Sequence, residues 1–223
     1  MSEIDGAACP PGFAGISRSV ELGTVQLVAT VRQRLLSLME AQRGHFRLES
    51  GHRGELWLEC DRLYRRPVEL RELVGELAAR VRRYQPDVVC GPVTGGAFLA
   101  WEVARVLNTQ FRCTVAQSPP GSTELYSTVY RLSDPAELVD AKVVVVDDVI
   151  NAGSAVRSTL EQLTAAASKP VALAALLGLG EPVEELAREY QIDLELLARS
   201  PNTLWLPADC PACAAGHPID RRV

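Results

Sequence analysis

Apolar positions along the chain follow two rhythms, and the change between them divides it. From Thr24 to Ala41 the residues Val28, Val31, Leu35 and Met39 recur at helical spacing, with Thr24 as N-cap and Gly44 as stop. His45–Glu49 and Glu55–Glu59 then alternate polar and apolar around SGHRG, which predicts a hairpin. Arg66–Tyr84 returns to helical spacing through Leu70, Leu73, Val74, Leu77 and Val81, with Pro67 in its first turn. After that, short continuous apolar runs alternate with amphipathic segments. DVVCG, FRCTVA, LYSTVYRL, KVVVVDD and VALAALLGL read as strands; GGAFLAWEVARVL, SAVRSTLEQLTAAA and EPVEELAREY read as helices.

Buried β-branched runs interleaved with helices predict an α/β fold, a mainly parallel, doubly wound sheet covered on both faces. The expected organisation is a lead-in, helix and hairpin forming a small N-terminal hood over residues 1–66. An α/β core over 67–207 follows, then a non-regular, cysteine-containing tail over 208–223.

Composition narrows the function classes. With 47% hydrophobic and 23% charged residues, the 223-residue chain has the balance of a globular protein. A net charge of −5 argues against a broad surface for nucleic acid or anionic membrane. Val171–Leu179, the longest apolar stretch, falls far short of the roughly 20 residues that span a bilayer. The opening MSEIDGAACPPG has no basic start and apolar core, so a cytoplasmic protein with reduced cysteines is expected.

The chemistry concentrates in Val143–Ala155, VVVVDDVINAGSA. A buried strand delivers two carboxylates, Asp147 and Asp148. Val149, Ile150, Asn151, Ala152, Gly153, Ser154 and Ala155 then lead into a helix. In open α/β sheets, ligands sit beyond the carboxyl ends of the strands. A loop of small residues lets backbone N–H groups close on a phosphate, and the new helix adds its positive end. Paired carboxylates suit ribose hydroxyls or hydrated Mg²⁺. Capping of a turn would explain one aspartate, not two at the end of four valines.

This segment resembles the phosphoribosyl pyrophosphate (PRPP) motif of the type I phosphoribosyltransferases, most of all its orotate phosphoribosyltransferase form. FRLESGHRGELWLECDRLY, Phe46–Tyr64, resembles that group's hood, and GPVTGG, Gly91–Gly96, its pyrophosphate loop. The resemblance implies transfer of a phosphoribosyl group from PRPP to a nucleobase, orotate first, with Mg²⁺ accompanying PRPP and pyrophosphate leaving. It implies a homodimer without nucleic-acid or membrane partners. Asp147 and Asp148 would hold the ribose hydroxyls, and Asn151–Ala155 the 5-phosphate. Thr94, Gly95 and Gly96 would present N–H groups to pyrophosphate.

The chain also departs from that pattern. Gln117–Ser127, QSPPGSTELYS, has none of the cations of the mobile loop found in orotate enzymes, and only Arg112 and Arg131 flank it. Glu49 stands where the hood would carry lysine. No cation lies near Leu179 and Gly180, where the carboxylate of orotate would be met, leaving Arg53, with His52, or N–H groups near Gly180 to receive the base. A phosphoribosyltransferase for another heterocycle and a non-catalytic PRPP-binding regulator therefore stay open.

Three residue types complete the reading. Cys210 and Cys213 form CPAC, with His217 four residues on and Cys9 as a further ligand, a possible zinc site against the reading of two thiols that merely fasten the tail. Trp57 and Trp101 are expected to pack, and Cys60, Cys90 and Cys113 to lie in the core.

Overall fold

The computed structural model describes residues 30–48, 50–117 and 129–220. Residues 30–38 are helical (α1), and the predicted start at Thr24 lies outside the described residues. Strands β1 (Gln42–Arg47) and β2 (Arg53–Trp57) pair antiparallel. Gly51 sits in their turn at φ +86°, a conformation that needs no Cβ. Helices α2 (Asp61–Tyr64) and α3 (Pro67–Val81) follow.

The core sheet has the order β5-β4-β3-β6-β7-β8. Its strands are β3 (Val88–Pro92), β4 (Gln110–Gln117), β5 (Val129–Leu132), β6 (Lys142–Ile150), β7 (Lys169–Leu179) and β8 (Asp193–Ser200). Only β5, at one edge, runs antiparallel to its neighbour. Helices α4 (Gly95–Leu107), α5 (Ser154–Ala165) and α6 (Pro182–Glu189) make the crossovers.

The valines of β6 explain why both faces are covered. Val144 and Val146 pack with α1, α3 and α4, while Val143 and Val145 pack with α5 and α6. All four are fully buried, each contributing on the order of 1.5–3 kcal/mol. From β3 the chain winds outward through α4 to β4; from β6 it winds the other way through α5 to β7. The switch point thus falls between β3 and β6, the place at which open α/β sheets take their ligands.

Three differences from the sequence reading have physical causes. Strand β6 continues through both aspartates to Ile150, because β7 keeps pairing with it, Asp147 to Ala175 and Ile150 to Gly178. Strand β8 was not anticipated, since Asp193, Glu195 and Arg199 interrupt its apolar residues as an edge position allows. Residues after 203 are not wholly irregular: β9 (Leu204–Trp205) adds to β2, α7 (Pro211–Ala214) follows, and Asp220 bridges to Phe46. The hood sheet, ordered β1-β2-β9, is therefore completed from the other end of the chain. Trp57 packs on Phe46 with ring centroids 5.8 Å apart, but Trp101 is 52% exposed, on the outer side of α4. Cys90 is buried as expected, whereas Cys60 and Cys113 are only half-buried.

Candidate active site

The aspartates of β6 and the N-terminus of α4 meet at the switch point. Asp147 and Asp148 are 9% and 6% exposed. A Cβ on Gly95 would stand 2.0 Å from Asp148 Oδ2, and one on Gly96 2.6 Å from Asp147 Oδ1. The two glycines are thus the only residue type that lets both carboxylates sit under the helix end. Gly91 serves the backbone in the same way, since its Cβ would lie 2.2 Å from the Gly96 carbonyl. The Val93–Thr94 peptide between them is cis.

Each carboxylate accepts from local amides: Asp147 Oδ1 from the Asp148 N–H at 3.0 Å, Asp148 Oδ1 from the Val149 N–H at 2.7 Å. Among the described residues no arginine or lysine forms an ion pair with either. Burial pushes both carboxyls above the ordinary carboxylate range, and the charge of Asp148 raises Asp147 further. The Val149 amide and the Tyr64 hydroxyl hold Asp148 back.

Tyr64, at the end of α2, is a site residue that the sequence reading missed. Its hydroxyl lies 2.5 Å from the Gly95 carbonyl and 3.2 Å from Asp148 Oδ2. The one phenolic proton is divided between the two acceptors, donating to the Gly95 carbonyl and to Asp148 Oδ2. Burial, then Asp148, raises the Tyr64 hydroxyl far above its ordinary value, so it stays protonated. No local pattern marks a tyrosine 84 residues from its partner.

The loop after β6 is shorter than expected: Val149 and Ile150 belong to the strand and Ser154 opens α5, leaving Asn151–Gly153 between them. Gly153 caps α5 at φ +75°, and the Arg157 N–H returns to the Gly153 carbonyl at 2.8 Å. Ser154, exposed, opens the helix, whose first-turn N–H groups have no intrahelical acceptor. Asn151 Oδ1 accepts from Asn202 Nδ2 at 3.0 Å, so a second unforeseen residue, from beyond β8, steadies the loop.

The base-side candidates fare unequally. His52 Nδ1 meets Ser50 Oγ at 3.2 Å, and Arg53 donates to the Gly51 carbonyl at 3.2 Å, so both are tied to the hairpin turn. The Gly180 N–H cannot receive a carboxylate, because it already donates to the Ser200 carbonyl at 3.1 Å. Arg112 is paired with Glu137. Glu49 and residues 118–127 of the cation-poor loop lie outside the described residues.

In the tail the structure corrects one ligand. Cys210 and Cys213 come together with His45 of β1, not with the His217 side chain. The chain turns at α7 and at Gly216, φ +71°, so His217 offers only its carbonyl, 3.2 Å from His45 Nδ1. Cys9 lies outside the described residues.

Residues 61–198 match the phosphoribosyl transferase domain family. The chain is 32% identical to the orotate phosphoribosyltransferase of Heliobacterium modesticaldum over 177 residues, 78% of this chain and 86% of that one. It is 29% identical to that of Thermotoga maritima over 197 residues, 87% and 96% of the two chains. In fold it is similar to orotate phosphoribosyltransferase from Aeropyrum pernix, with TM-score 0.56 and 23% identity, covering 76% of this chain and 93% of that one. It is similar also to adenine phosphoribosyl transferase from Trypanosoma brucei, with TM-score 0.61 and 18% identity over 76% and 79%.

Proposed function

Since this chain belongs to the phosphoribosyltransferase family, a pentosyltransferase close to the orotate phosphoribosyltransferases, we propose that it transfers the 5-phosphoribosyl group of PRPP to a nucleobase, orotate first, releasing pyrophosphate. The observation that carries this reading is the buried Asp147–Asp148 pair, without a cationic partner among the described residues, beneath Gly95 and Gly96 at the switch point. Buried carboxylates without counter-charge are costly unless something pairs with them. Ribose hydroxyls can do so by donating hydrogen bonds.

On this reading Asp147 and Asp148 hold the ribose, Asn151–Ala155 with the first turn of α5 receive the 5-phosphate, and Thr94–Gly96 face the pyrophosphate. A ring nitrogen of the base attacks C1 as the bond to pyrophosphate oxygen breaks, through an oxocarbenium-like transition state. The protein's part is positioning and charge stabilisation. The donor set fits Mg²⁺, because both carboxylates offer hard oxygens. Asp147 or Asp148 would hold the ion through its water shell, and it would neutralise charge developing on pyrophosphate. A homodimer and a cytoplasmic setting belong to the same reading, the former checked by light scattering.

The acceptor is the least constrained part. With the Gly180 N–H engaged by the Ser200 carbonyl, Arg53 and His52 are the proposed contacts for a carboxylated base, and a different heterocycle is the second reading. The test is pyrophosphate release from PRPP and Mg²⁺ with orotate, uracil and other bases, in wild type and Arg53→Ala. We expect slow orotate turnover that drops in the variant. Orotate turnover indifferent to Arg53→Ala would remove that residue from the site. Turnover only with another base would replace orotate, and no release with any base would overturn the catalytic reading.

A further inference from the structure

We propose that His45, Cys210 and Cys213 bind a zinc ion that fastens the C-terminal segment to the hood. The three ligand atoms lie within 4.8 Å of one another, although His45 is in β1 and the cysteines flank the start of α7. His45 Nε2 is 3.4 Å from Cys210 Sγ and 3.4 Å from Cys213 Sγ. In a tetrahedral site, zinc–sulfur bonds of about 2.3 Å and zinc–nitrogen bonds of about 2.0–2.1 Å put nitrogen and sulfur about 3.6 Å apart. The cluster already has nearly that spacing.

Its hydrogen bonding favours a cation over two thiols. His45 Nδ1 faces the His217 carbonyl at 3.2 Å, and a carbonyl can only accept, so Nδ1 carries the proton. Nε2 of the neutral ring then offers a single lone pair to two sulfurs at equal distance. Two S–H groups cannot both use it well, whereas one cation between the three atoms satisfies all of them. A ligating histidine whose other nitrogen donates to a backbone carbonyl is the arrangement that orients imidazole for a metal. The Cys213 N–H also points to Cys210 Sγ at 3.5 Å, a backbone donor suited to a thiolate. Cys210 is 2% exposed, so its sulfur is shielded from solvent. Two sulfurs and one imidazole nitrogen favour zinc over magnesium or calcium.

The consequence is mechanical. Strand β9 already pairs with β2, and Asp220 bridges Phe46. The ion would close the tail on β1, the other strand of the hairpin whose turn carries His52.

The experiment is metal analysis of the full chain, purified under reducing conditions, in wild type, His45→Ala, Cys213→Ser and His217→Ala. Close to one zinc per chain is expected for wild type and His217→Ala, which keeps its carbonyl, and a near-complete loss in the other two. Cobalt-substituted wild type should show thiolate charge-transfer absorption that His45→Ala alters, and chelation should lower Tm. Stabilisation by PRPP with Mg²⁺, retained in all variants, verifies folding independently of the metal. Zinc retained in both His45→Ala and Cys213→Ser would overturn the proposal. So would a metal-free wild type whose Tm ignores chelator, or one with Cys210 and Cys213 joined as a disulfide.

Discussion

At the scale of single residues, the aspartates set stability against binding. A carboxyl whose folded value is raised binds its proton more tightly in the folded chain. It adds stability below the ordinary carboxylate range and loses that contribution as pH climbs through the raised value. For Asp147 and Asp148 this makes burial a cost to the ligand-free protein that grows as pH rises above the ordinary carboxylate range. Asp147→Asn with Asp148→Asn should therefore raise the Tm of the ligand-free chain near neutral pH, by an amount that shrinks as pH falls. The same variant should abolish stabilisation by PRPP with Mg²⁺. That stabilisation is about 2.7 kcal/mol in wild type at a ligand concentration a hundredfold above Kd. At roughly 2–4 °C per kcal/mol for a chain of this size, thermal melts resolve it easily. A double variant that binds PRPP as well as wild type would refute the site. Tyr64→Phe tests the neighbouring contact. Losing a hydroxyl that holds Asp148 down should shift the acid limb of PRPP binding to higher pH, read by titrating binding against pH. An unmoved limb would leave Tyr64 a packing residue beside Phe98, its ring neighbour at 5.3 Å.

At the scale of elements, two helix beginnings do different work. The start of α4 is shaped by close approach: Gly95→Ala and Gly96→Ala both drive a methyl group into a carboxylate. Each should reduce PRPP binding at least as much as loss of the aspartate beneath it, with the far-ultraviolet circular dichroism spectrum little changed. The start of α5 is shaped by conformation. Gly153 holds φ +75°, with Leu186 Cδ2 3.2 Å from where a Cβ would stand. Valine there meets a backbone penalty of roughly 1–2 kcal/mol and intrudes on the position proposed for the phosphate. Gly153→Val should weaken ribose 5-phosphate binding more than pyrophosphate binding, measured by calorimetry with each ligand alone. Equal weakening of both would move the 5-phosphate elsewhere.

Across the whole molecule, the buried β3, β6 and β7 and the three-stranded hood are unequal in stability. The first lie inside a sheet covered on both faces, while the hood depends on a two-residue strand and the tail. Hydrogen exchange should find the slowest amides in β3, β6 and β7. Chelator should accelerate exchange in β1, β2 and β9 and leave those core strands unchanged. Uniform acceleration would mean that the tail supports the entire fold rather than the hood.

Local pattern was enough for the parts of this protein in which cause and effect are neighbours in the chain. Four valines, two aspartates and a small-residue loop announce a strand, a carboxylate pair and a turn into a helix together, because all three are set by residues adjacent in the chain. Glycine pairs and alternating polarity marked α4 and the hood hairpin for the same reason. Chain folding alone decided the rest. Tyr64 reaches Asp148, Asn202 reaches Asn151, and His45 displaces His217 beside Cys210 and Cys213, each across a separation over which sequence carries no periodic signal. Strand β8 escaped notice because an edge strand buries too few side chains to impose its alternation, and β9 because two residues form a strand only when another is waiting to pair with them.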